Sequence, residues 1–151
     1  MVKYTREERW DRACLRVAIV IRGMWEEKGS SDSRLLESMM LPDDLTMVGK
    51  SVALTGRGRR EHVVPRLVIV NECHRMLACG ATDAEVAAYI KDHVRIVLVT
   101  DEERLRLDRV DQMGLRQTMP PGWMPGHDIF ARLAAADIVW TPQAAHAGAA
   151  V

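Results

Sequence analysis

The sequence predicts an α+β fold, mostly helical, with a small element of two or three β-strands in a single domain. Three observations predict it. Thr5 with Glu8, Thr82 with Glu85 and Thr100 with Glu103 each place a hydroxyl three residues ahead of a carboxylate, the mark of a helix start. Apolar residues recur at helical spacing through much of the chain. Only short β-branched runs, above all "VRIVLVT" at 94–100, read as strand.

Taken in order, Trp10, Cys14, Val17, Ile21 and Met24 form one stripe after the first capping box, and Gly29 offers the stop. This predicts a helix over residues 6–28. "SSDSRLLESMMLPDDL" reads as a turn and a short helix stopped at Pro42. Residues 47–55 read as extended. In "EHVVP", Val63 and Val64 favour strand, and the residue before Pro65 is biased away from helix. A helix follows, with Leu67, Val70, Asn71, His74, Leu77 and Ala78 on one face. The second capping box opens a helix that turns Val86, Tyr89 and Ile90 inward. The strand at 94–100 is expected to pair with the one at 61–64. The third box opens "DEERLRLDRVDQMG", where Leu105 and Leu107 are too close in sequence to share a stripe. "QTMPPGWMPGHD" is a loop, Asp128 can cap a last helix, and "IVW" can close the fold as a strand.

Composition narrows the function classes. Lys+Arg and Asp+Glu both number 21, so no net positive potential supports a non-specific nucleic-acid coat. Three cysteines are an odd number for a disulfide framework and suit a reducing compartment. The charged N-terminus lacks the apolar stretch of a secretory signal, and no apolar run is long enough for a membrane span. A cytoplasmic protein is expected.

The densest chemistry lies in "GRGRREHVVPRLV", residues 56–68. Arg57, Arg59, Arg60 and Arg66 carry guanidinium forks that suit phosphate or an acidic partner. Glu61 and His62 set a carboxylate beside an imidazole that can take a proton near neutral pH. Successive strand residues point to opposite faces, so the two serve one site only where the strand bends or ends, and Pro65 makes such an end. "GRGRRE" lacks the third glycine of a dinucleotide fingerprint, and "GKS" at 49–51 lacks the leading glycine of a phosphate loop. Cys73, His74 and Cys79 lack the paired spacing of a structural zinc site, so core thiols are expected. Asp92–His93 and His127 read as polar residues at a helix end and in a loop.

"REHVVPR" resembles the first strand of the HNH, or ββα-metal, nuclease family, and "VRIVLVTDEERLRL" resembles the second strand and metal-site helix of its divergent members. "LRQTMPPGW" with "DIFARLAAADI" is similar to the tails of small proteins with this head from phages and mobile elements. The resemblance runs from about residue 59 to 140 and implies a ββα-metal-like core, set at 47–140; the residues themselves give a helical segment at 1–46 before it and a flexible tail at 141–151 after it. It implies His62 as general base, Glu61 as metal ligand, and Glu103 as second ligand, with Glu102 and Asp108 as other candidates. Mg or Mn would assist phosphodiester hydrolysis of nucleic acid. Arg104 stands where the family's closing His or Asn would follow the acidic pair. Hence a second reading: a non-enzymatic inhibitor or adaptor on the same scaffold, binding a host protein such as a defence complex. A third is a helical module that dimerises through its first helix.

Overall fold

The computed structural model describes residues 1–143, and the fold is α+β. The chain divides into two units, each drawn from two stretches of sequence: residues 1–45 with 66–94, and 46–65 with 95 onward.

The first unit is helical. Helix α1 runs Arg6–Lys28. Its capping box is closed in both directions: Thr5 Oγ1 accepts from the Glu8 amide at 3.1 Å, and Glu8 Oε2 accepts from the Thr5 amide at 2.7 Å. Gly29, at a left-handed φ of 72°, returns its N–H to the Trp25 carbonyl and ends the helix. Trp10, Cys14, Val17 and Ile21 are buried as the stripe predicts, with Ala13 and Ala18, while Met24 is half-buried. The expected helix before Pro42 is a single 3₁₀ turn, Ser33–Leu36, because the Asp32 carboxylate takes the Arg34 amide. A four-residue helix α2, Asp43–Thr46, begins after Pro42 instead.

Helix α3 spans Arg66–Ala78 and α4 spans Asp83–His93. Val86, Tyr89 and Ile90 of α4 are buried as predicted. In α3 the buried residues are Ile69, Val70, Cys73 and Leu77, whereas Leu67, Asn71 and Ala78 are exposed. The observed face is rotated from the predicted one, because exposed Leu67 falls off the buried stripe and the thiol of Cys73 falls on it. Burial pushes that thiol up to about 12. His74 accepts or donates a 2.7 Å hydrogen bond with Ser31 Oγ, and burial lowers its pKa.

Ion pairs fix the direction of α4 against α1. Lys91, at the end of α4, reaches Glu7 and Asp11 at the start of α1. Arg22, in the last turns of α1, takes Asp83 through Nε and the Ala81 carbonyl through Nη2, both at 2.5 Å, at the start of α4. The two helices are therefore antiparallel neighbours. His93 is not solvated as its junction position suggested. It is buried, bonded to the Tyr89 carbonyl at 2.8 Å, with its ring 4.1 Å from that of Tyr89.

The second unit holds a four-stranded sheet of β1 (Met47–Ser51), β2 (Arg59–His62), β3 (Ile96–Val99) and β4 (Trp140–Pro142), in the order β2-β3-β1-β4. The sheet thus has four strands where two or three were predicted. β2 pairs antiparallel with β3, Glu61 opposite Val97 and His62 opposite Ile96, and the Val63 amide bonds the Arg95 carbonyl at 2.9 Å. The pairing is the expected one, with the strand itself two residues earlier in the chain, because Val63 and Val64 turn away to reach Pro65. β1 runs parallel to β3 and antiparallel to β4. The predicted tail begins inside β4, since Thr141 and Pro142 pair with Lys50 and Gly49; residues 144–151 of that tail lie outside the described residues. Helix α5 is Asp101–Asp108, shorter than predicted, with Leu107 buried and Leu105 exposed. Helix α6 is Ala131–Ala135. Asp128 accepts from the Phe130 amide at 2.9 Å in the preceding turn and does not cap α6. His127 accepts from the Met124 amide within the loop.

The "GKS" glycine has a packing reason. A Cβ on Gly49 would run into the Thr141 carbonyl and the Trp140 ring of β4. Gly49→Val is expected to expel β4 from the sheet. Faster exchange of the Ser51 and Val52 region amides and a melting temperature lower by several degrees would register it. An unchanged exchange pattern would refute the close approach. Among the described residues, no helix is long and apolar enough to cross a membrane.

Candidate functional site

β2, β3 and α5 make a strand–strand–helix arrangement in which the two strands are antiparallel and the helix follows the second directly. Glu61 and His62 are the last two residues of β2. Glu103 lies in the first turn of α5.

Each of these side chains has a defined environment. Glu61 Oε1 accepts from Arg132 Nη2 at 2.5 Å, with the Arg132 side chain only 1% exposed and Glu61 14%. Arg132, from α6, also donates to the His62 carbonyl at 2.5 Å and to the Leu115 carbonyl at 3.1 Å. One guanidinium thus ties the end of β2, a loop and a helix together. His62 is buried opposite Ile96. Both oxygens of Glu103 are occupied: Oε2 accepts from Ser51 Oγ at 2.8 Å and Oε1 from the Thr100 amide at 2.9 Å. Glu103 is buried, and its negative charge sits at the positive end of α5. Glu102 is exposed, and Asp108 pairs with Arg104 at 3.6 Å. Among the described residues no three His, Cys, Asp or Glu side chains gather into a group that could hold a metal ion.

The four arginines separate. Arg57, Arg59 and Arg60 are exposed on the segment leading into and along β2, and Arg59 Nε holds Asp101 at 2.5 Å across the surface. Arg66 belongs to the helical unit, where it faces Glu37 at 3.3 Å.

Beside Arg57 lies an open cleft of about 510 Å³ within the sheet unit. The segment 52–55 after β1 forms one wall, and the start of α5 forms another. Its ionisable lining is Arg57, Asp101, Glu102, Glu103, Arg106 and Asp137. The Nε of Arg106 is buried and has no hydrogen-bond partner among the described residues.

Sequence reasoning missed Arg132, Ser51 and Arg106. Arg132 stands between Ala131 and Leu133 in the apolar "IFARLAAAD", and a cation inside an apolar run is the one local signal for it. Ser51 and Arg106 gave none.

No protein-family model matches the chain, and no curated protein or solved structure matches it either.

Proposed function

We propose that the chain is a non-catalytic protein-binding module whose sheet-unit cleft takes a basic segment of a partner. The observation that carries this reading is the lining of the cleft: the exposed carboxylates Glu102 and Asp137 stand there with Asp101, which Arg59 already holds, and the buried Glu103, against the guanidiniums of Arg57 and Arg106. A nucleic-acid backbone needs the opposite balance. A lysine or arginine side chain suits the exposed carboxylates Glu102 and Asp137.

The metal of the resembled nucleases does not fit these residues as they are held. Arg132 already neutralises Glu61, and both Glu103 oxygens already accept hydrogen bonds. Glu61 and His62 are consecutive on a strand, so their side chains leave on opposite faces. Moving Glu61 onto a cation would leave Arg132 buried without its counter-charge.

Titration with peptides of matched length and opposite charge tests the reading. Lysine-rich peptides are expected to bind, with affinity falling as salt rises. Glu102→Gln with Asp137→Asn should weaken that binding severalfold, to a ceiling of roughly thirtyfold, since each exposed pair contributes up to about 1 kcal/mol. Asn also tolerates the left-handed φ of 55° at position 137. Equal binding of acidic and basic peptides would overturn the proposal. The strand–strand–helix order favours a second reading, a nuclease with His62 as its base. Cleavage of DNA or RNA with Mg²⁺ or Mn²⁺, lost in His62→Ala, would replace the first reading with that one.

A further inference from the structure

The outward faces of α1 and α4 are chemically unlike one another. On α1, Arg12, Leu15, Arg16 and Ile19 fall three and four residues apart and are all exposed, Leu15 by 40% and Ile19 by 50%. On α4, the exposed residues on the corresponding side are Ala84, Glu85, Ala88 and Asp92. One helix thus presents large aliphatic side chains flanked by cations, and the other small side chains flanked by carboxylates. Along the seam runs a groove of about 430 Å³, floored by Leu15, Ala84, Ala87 and Ala88, with Asp11, Lys91 and Asp92 at one end.

Such a pair of faces is complementary to itself. We infer that this surface is an interface with a second copy of the chain, in which α1 of each copy lies on α4 of the other. The antiparallel order of the two helices sets the register. Within one chain, Lys91 is level with Glu7 and Asp11, and Asp83 is level with Arg22. A two-fold axis parallel to the helices preserves those heights. It brings Arg12 level with Asp92 of the second copy and Leu15 level with its Ala88. Leu15 and Ile19 then fill the alanine groove of the other copy, because only small side chains let a second helix approach that closely. Arg12 is already steadied by the Tyr4 ring, 4.1 Å from its guanidinium carbon. Closure is complete after two copies, since each face is used once by each chain.

Sedimentation equilibrium of the full chain, from low to high micromolar, reads the outcome. The mass is expected to rise from one chain to two with concentration. Ala88→Arg should raise the dissociation midpoint roughly tenfold or more, by filling the groove and placing a cation opposite Arg12 and Arg16. Because residue 88 is exposed, the melting temperature at low concentration should stay unchanged, which separates lost association from lost folding. Arg12→Asp should also weaken association, and combining it with Asp92→Arg should restore it, a rescue that a general surface effect would not give. A chain that stays monomeric at all concentrations overturns the inference and leaves the groove to a different helix. So does a dimer that persists in both Ala88→Arg and Leu15→Glu.

Discussion

Val17→Asp is expected to leave the helical unit unfolded. Val17 is fully buried at the centre of the α1 stripe, between Ala13 and Ile21 on the same face. Glu7, Arg9 and Asp11 toward one end of α1, and Arg22 toward the other, make ion pairs with residues outside the helix. A carboxylate at position 17 would be desolvated without a cation beside it. That costs several kcal/mol, comparable with the whole stability of a small domain at about 5–15 kcal/mol. Loss of the cooperative thermal transition, followed by circular dichroism, would register it. A folded Val17→Asp protein with an unchanged melting temperature would show that the stripe is not the core.

Glu61→Leu removes the counter-charge of a guanidinium that has almost no contact with water. Arg132 would keep its two carbonyl acceptors, of His62 and Leu115, but lose the Glu61 carboxylate. Breaking a buried pair from one side costs about 3–5 kcal/mol. The companion Arg132→Met alone should cost a similar amount, because Glu61 and two carbonyls then lose their donor. The double variant is expected to recover much of the loss, since apolar replacement of both partners is often close to neutral. Chemical denaturation of the four proteins gives the coupling directly. Additive losses would mean that the pair is not one unit. If Glu61→Leu were instead neutral for stability yet abolished a metal-dependent activity, the carboxylate would belong to a catalytic site.

The parts that were legible in the sequence are those decided locally. All three capping boxes are present in both directions, because the residues that make them are three apart. The α1 stripe was readable because five of its residues are large or unambiguous in character. The face of α3 was not, because its thiol and its exposed Leu67 blur the apolar phase. Sheet order was out of reach: the parallel pairing of β1 with β3 joins residues separated by two helices and another strand. The candidate site divides the same way. Glu61, His62 and the arginine segment stood out from composition alone. What holds Glu61 is an arginine 71 residues later, and no local pattern announces that a cation there will be buried.

The central position of β3 also bears on how the protein is made. β1 and β2 leave the ribosome long before residues 96–99, and their shared ladder partner is β3. No hairpin can nucleate this sheet from its first two strands. It closes only when a single late segment inserts between them. Closing such long loops carries an entropic cost ahead of any reward in hydrogen bonds, which slows folding. A nascent chain released up to Val94 would hold every residue of the helical unit and two strands with no partner. During that interval "MVGKS" and "RREH" expose unpaired backbone to any other chain nearby. The charges on the second segment, Arg59 and Arg60 beside Glu61, are of the kind that discourage such pairing until β3 arrives.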